Sequence, residues 1–251
     1  MDIIEIEDSD RPLIYRRATL IQESGATVTA EMEDDFHHFR VTMTHSDGRV
    51  TAVRGESLRF PWSSCGAEAA GKIGELTGSR LDSLRAQLTT QQRYGHCTHL
   101  FDLAELAVSL ALSPSARRSY QSAVALVPQR GPISAELRRN GRDLFQWEID
   151  GGVVSGAEPV SGVKLNDLGD LAREQKDADM REALLYQQRA IHVSAGRIFD
   201  WEVAGTAADM QLPPTCHTFQ PGTAGRAARM PGSTRDFAQA AESMLGGKEL
   251  D

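Results

Sequence analysis

The residues best suited to chemistry fall into two short clusters. The first is Asp34-Asp35-Phe36-His37-His38-Phe39, with His45 a little further along, and the second is Gly95-His96-Cys97-Thr98-His99-Leu100. Imidazoles beside carboxylates can move protons near neutral pH or hold a metal. Strand alternation puts His37 with Phe39, Val41, Met43 and His45 on an apolar face, and His38 with Arg40 on the other. An inward-facing histidine needs a partner, because an unpaired buried imidazole is costly. His37 and His45 could therefore wall a pocket as acid–base groups or ligands, or His37 and His38 could satisfy backbone groups at a strand entrance. In the second cluster Thr98 reads as a helix cap, with Cys97 and His99 on either side of it. The positive end of a helix dipole lowers a thiol's pKa and favours neutral imidazole. Such a pair could serve as nucleophile with base, as an oxyanion-stabilising corner or as two metal ligands. The alternative is a small buried cysteine and a capping threonine that dock a core helix.

Other motifs are weaker. Gly66-Ala-Glu-Ala-Ala-Gly71-Lys72 matches most of a phosphate-binding P-loop, but Ile73 stands where magnesium needs Ser or Thr, and Pro61–Cys65 is no buried strand. The chain has no Gly-x-Gly-x-x-Gly loop, no Cys-x-x-Cys and no His-Glu-x-x-His. No nucleotide or other cofactor is therefore expected. A zinc site drawn from Cys65, Cys97, His99 and Cys216 is chemically possible, but the separations specify nothing. Trp62, Trp147 and Trp201 read as core, although a tryptophan beside Pro61 could line an aromatic pocket.

The elements that must position these residues follow from patterning. Thr27–Met32, Phe39–Thr44 and Val50–Val53 read as strands of an antiparallel meander, with a tight turn at Ser46-Asp47-Gly48-Arg49. Helices are expected after Ser79 (Leu81, Leu84 and Leu88 on one face), over Leu100–Leu112 (apolar on most sides) and from Asp177 to Gly196. Ser233-Thr-Arg-Asp236 reads as a capping box opening a last helix that Gly246-Gly247 ends.

The pattern begins again partway along. Arg16-Arg17 is answered by Arg117-Arg118, Thr29–Met32 by Ser134–Leu137, and Phe39–Met43 by Phe145–Ile149. Asp47–Val50 is answered by Asp150–Val153 and Gln91–His96 by Gln187–His192, in the same order, at offsets of 96 to 106 residues. The expected fold class is therefore α+β, in two topologically similar halves, each an antiparallel β-meander with packed helices. The expected boundaries are 1–115, 116–232 and a helical tail over 233–251.

Composition bounds the rest. The chain has 251 residues, a net charge of −8, 40% hydrophobic residues and three cysteines. The acidic balance argues against nucleic acid as a partner, and no apolar run suits a membrane span. An odd cysteine count and an acidic start without a basic leader point to the cytoplasm. A homo-oligomer is expected.

Asp35-Phe-His-His-Phe39, Arg59-Phe-Pro-Trp-Ser-Ser-Cys65, Cys97-Thr-His-Leu100, Cys216-His-Thr-Phe-Gln-Pro221 and Gly232-Ser-Thr-Arg-Asp-Phe237 occur together in this order. That combination resembles the bacterial family designated domain of unknown function 2889, over nearly the whole chain. The resemblance implies a catabolic setting, in bacteria that degrade aromatic and other recalcitrant carbon compounds. It also implies that Asp35, His37, His38, Arg59, Cys97 and His99 share one site.

The expectation that results is a lyase acting on a small aromatic substrate by acid–base catalysis. His37 and His38 would transfer protons, Asp35 would orient one of them, and Arg59 would hold an anionic oxygen. Cys97 and His99 would form the helix-end corner. A non-catalytic small-molecule-binding protein and a metal-dependent hydrolase are the alternatives.

Overall fold

The computed structural model describes residues 13–87, 95–127 and 131–251. Its central element is one antiparallel sheet of eight strands in the order β4-β3-β2-β1-β5-β6-β7-β8. The strands are β1 (Leu13–Ser24), β2 (Thr27–Asp34), β3 (His38–Ser46), β4 (Arg49–Arg59), β5 (Arg117–Leu126), β6 (Ile133–Arg139), β7 (Arg142–Asp150) and β8 (Val153–Ser155).

The expectation of two topologically similar halves is thereby corrected: the strands belong to a single sheet. The paired motifs fall on its strands and turns, as with Thr29–Met32 on β2 and Ser134–Leu137 on β6. Antiparallel strands share period-two alternation and a small set of turn residues, which is enough to produce such echoes. Of the last pair, residues 91–94 lie outside the described residues, while Gln187–His192 belong to a helix over Ala178–Ser194.

By contacts the chain forms two compact units. One holds Thr19–Arg118 and Trp201–Arg235; the other holds Ser119–Asp200, Asp236–Asp251 and residues 13–18.

In the first unit β2 and β3 form a hairpin with Met32 opposite Phe39 and Glu33 opposite His38. Phe39, Val41 and Met43 are buried and alternate with half-buried His38, Arg40 and Thr42, as the strand pattern requires. The turn into β4 uses Asp47 and Gly48, both at positive φ, the two-residue geometry that suits right-twisted hairpins. Helix α1 (Ala67–Lys72) packs on β4 so closely that a Cβ on Gly55 would meet the Ala70 carbonyl oxygen at 2.9 Å. The segment that resembles a P-loop is thus a short packing helix. After α2 (Leu81–Gln87), which buries Leu81 and Leu84, the long helix α3 (Thr98–Ala111) packs across β2 and β3. Leu100, Phe101, Leu103, Leu106, Val108 and Leu110 are all buried, so α3 is core on nearly every side.

In the second unit β5–β8 carry α4 (Leu168–Glu174) and α5 (Ala178–Ser194). Asp177 caps α5, its side chain accepting from the backbone N–H of Asp179 and Met180. Tyr186 stacks on Tyr120 at 4.6 Å between ring centroids. In the first unit again, the short helix α6 (Pro221–Ala224) follows a 3-10 turn at His217–Phe219. The expected last helix is replaced by irregular chain over 233–240 and a kinked 3-10 segment at Ala241–Gly246.

Candidate functional site

The turn between β2 and β3 is built by one side chain. Asp34, fully buried at the end of β2, accepts the backbone N–H of Phe36 at 2.9 Å and of His37 at 2.7 Å through Oδ1. Aspartate closes such turns readily because its short arm reaches the backbone two and three residues on. The same Oδ1 lies 3.0 Å from His37 Nδ1. A carboxylate can only accept, so Nδ1 carries the proton and Nε2 of His37 keeps the lone pair. Among the described residues that Nε2 has no hydrogen-bond partner.

His99 comes to the same place from α3. Helix α3 begins at Thr98 with Cys97 as its cap, one residue earlier than the sequence implied, and no side chain caps it. His99 is then the second helical residue. Its ring centroid lies 4.0 Å from that of His37, and its Nε2 lies 4.0 Å from Asp34 Oδ2. Phe39 stacks against both imidazoles, at 5.5 Å and 5.8 Å. Phe36 leads on to Trp201 at 5.6 Å, and Trp201 to buried Trp62 at 6.1 Å. The two imidazoles remain 13% and 12% exposed. One ligand-type atom from each of Asp34, His37 and His99 lies within 4.8 Å of the others.

The other expected site residues divide differently. Arg59 donates through Nη1 to the carbonyls of Asp35 (3.1 Å) and Ser233 (2.8 Å), and through Nη2 to those of Asp34 (2.5 Å) and His37 (3.2 Å). It also pairs with Glu33 at 3.2 Å. Its guanidinium therefore clamps the backbone of the turn, where the sequence suggested an anion-holding role. His38 points to the opposite face and bonds Glu31 at 2.8 Å, beside the Arg40–Glu31 pair at 3.1 Å. Asp35 is fully buried one residue beyond the aspartate that orients His37, and its carbonyl also accepts from Arg235 N–H at 2.7 Å. His45 bonds Glu23 at 3.2 Å, away from the cluster.

Cys97, the residue that caps α3, is buried. The helix-end amides of His99 and Leu100 pull its thiol down, but burial outweighs them and holds its pKa well above the ordinary value. The three cysteines lie near one another around Thr218, whose hydroxyl is 3.1 Å from Cys65 Sγ. Burial pushes the Cys65 thiol up to about 12 and raises that of Cys216 as well. All three stay protonated at neutral pH, and a thiol is a poor nucleophile or metal ligand until it ionises.

Two residues important here were given no role by the sequence reading: Asp34, although it opens the first cluster, and Arg229. Asp34 could have been found from the Asp-x-x-His37 spacing, in which one carboxylate closes a turn and meets the histidine three residues on. Buried Arg229 gave no local signal. It donates to the carbonyls of Pro61 (2.8 Å) and Trp201 (3.1 Å) and pairs with Glu202 at 2.6 Å, fixing the tryptophan wall. No family model matches the chain, and no curated protein matches it in sequence.

Proposed function

We propose that the protein is a cytoplasmic catabolic enzyme, a lyase acting on a small aromatic intermediate of phenolic, lignin-derived type without a nucleotide cofactor. The observation that carries this reading is the Asp34–His37 pair with a second imidazole stacked against it, beside Phe36, Phe39 and Trp201. Buried Asp34 fixes the His37 tautomer, so Nε2 is the base. In a retro-aldol cleavage Nε2 takes the proton of a carbinol O–H, the adjacent C–C bond breaks, and an aldehyde leaves. The electron pair stays on the carbon next to the ring, which spreads the charge, and protonated His99 returns a proton there. Elimination of water uses the same two groups, one as base and one as acid.

The aromatic wall supports an aromatic substrate through stacking, and the resemblance to the domain of unknown function 2889 family supports a catabolic setting. A net charge of −8 speaks against nucleic acid as partner, and a homo-oligomer is the expected state. Among the described residues no helix is long and apolar enough to cross a membrane.

Incubating the protein with a panel of lignin-type dimers and other phenolic intermediates, followed by mass spectrometry, tests this. Loss of formaldehyde or of water from one class of substrate is expected. Tight binding of aromatic ligands with no product from any of them would contradict catalysis and leave a binding protein.

A further inference from the structure

We infer that Asp34, His37 and His99 form a binding site for one divalent transition-metal cation. The inference deepens the reading of this cluster as the reactive centre. The donor set is one carboxylate and two imidazoles, which suits borderline cations such as zinc or ferrous iron and not magnesium or calcium. Three protein ligands leave coordination positions open, the arrangement of catalytic rather than structural metal sites.

The distances fit. A cation held at about 2.0–2.2 Å by each ligand sets neighbouring donor atoms roughly 3 to 3.5 Å apart. Asp34 Oδ1 and His37 Nδ1 are already at 3.0 Å. Asp34 Oδ2 and His99 Nε2 are 4.0 Å apart, and one donor atom from each of the three residues lies within 4.8 Å of the others, so the set closes on a cation with shifts of about an ångström. A metal would bind His37 at Nδ1, the ring's single proton would move to Nε2, and Nε2 would serve as the base only in the metal-free form.

The surroundings are prepared for a cation. Asp34 is held by the Phe36 and His37 backbone N–H groups, and Arg59 holds the carbonyls of Asp34 itself, Asp35 and His37, so the carboxylate is oriented before any ligand arrives. Two imidazoles stacked at 4.0 Å repel if both are protonated, and a shared cation removes that conflict. Beside the liganding Asp34, buried Asp35 adds a second carboxylate, while Glu33 is paired with Arg59.

The test uses the full chain, stripped with a chelator and titrated with Zn²⁺ by calorimetry, with metal content measured by elemental analysis. One equivalent is expected. His99→Ala, which lies outside the turn and leaves its hydrogen bonds intact, should weaken binding by a factor on the order of ten to a hundred or more. Asp34→Asn and His37→Ala should do likewise where circular dichroism shows a native fold. His38→Ala, on the opposite face of β3, should bind as the wild type does. Absence of saturable binding, or equal binding by wild type and His99→Ala, would overturn the inference. Turnover on the same samples reports on the acid–base reading alone. Activity undiminished in metal-free protein that also binds no zinc upholds that reading while the metal inference fails. Stoichiometric zinc with no turnover of any phenolic substrate does the reverse.

Discussion

The turn that joins β2 to β3 and the turn that joins β6 to β7 do the same mechanical job with opposite chemistry. The β6–β7 turn is Asn140-Gly141, both at positive φ, a minimal reversal whose residues serve the backbone. The β2–β3 turn is longer and spends a buried aspartate, a histidine and a clamping arginine on its shape. The helices differ in the same sense. Helix α5 is capped by Asp177 and fastened by buried glutamines: Gln187 accepts from Ser122 Oγ at 2.9 Å, and Gln188 donates to the Leu165 carbonyl at 2.8 Å. Helix α3 has no side-chain cap and carries His99 in its first turn. Polar residues fasten structure in one region and gather around a buried carboxylate in the other.

That contrast can be broken by mutation. The largest effect is expected for His37→Ala and His99→Ala, each of which should lower turnover of a responsive substrate by roughly a hundred- to ten-thousandfold. Melting temperatures measured beside the rates should change little. Arg59→Ala comes next. It removes a donor from four carbonyls and the partner cation from the Glu33 carboxylate, and should cost about 3 kcal/mol or more in a denaturant titration, with activity lost as the turn loosens. Gln187→Ala should cost about 1–3 kcal/mol by leaving Ser122 and the Glu136 carbonyl without this partner, while turnover per folded molecule is unchanged. Asp177→Ala removes a cap and should cost about 1 kcal/mol, again with no kinetic consequence.

The thiols sharpen the picture from another side. Native protein should alkylate slowly with iodoacetamide at pH 8 and quickly once unfolded, because burial keeps all three cysteines protonated. Their folded pKa values lie above the unfolded one, so the folded state binds more protons in alkaline solution. Stability should therefore be unaffected by the thiols below about pH 9 and fall as the pH rises from there toward 12. Rapid modification of native Cys97 at neutral pH would restore it as a candidate nucleophile.

Much of the local structure was legible because periodicity reports burial directly. The β3 alternation, the Asp47-Gly48 turn and the apolar α3 all follow from side-chain type at fixed spacing. What was not legible depends on the third dimension. A single sheet and two similar halves use the same strands and turns, so sequence echoes cannot tell them apart. Cys97 carried a helix-end signal that favours the thiolate and a core position that opposes it, and only burial decides. The sequence drew attention to Asp35 and Arg59, yet Asp34 holds His37 and Arg59 holds the turn, because backbone carbonyls have no sequence signature. His37 and His99, 62 positions apart, could be named as separate candidates, but their stacking comes from α3 packing across the β2–β3 hairpin.

The central claim is that Asp34, His37 and His99 form one reactive centre. It is tested most directly by product formation from a phenolic substrate, compared among wild type, His37→Ala, His99→Ala and the fastening variant Gln187→Ala, all at equal concentrations of folded protein. Loss of product in both histidine variants, with wild-type rates in Gln187→Ala, is the predicted result. Full turnover by both histidine variants would contradict it.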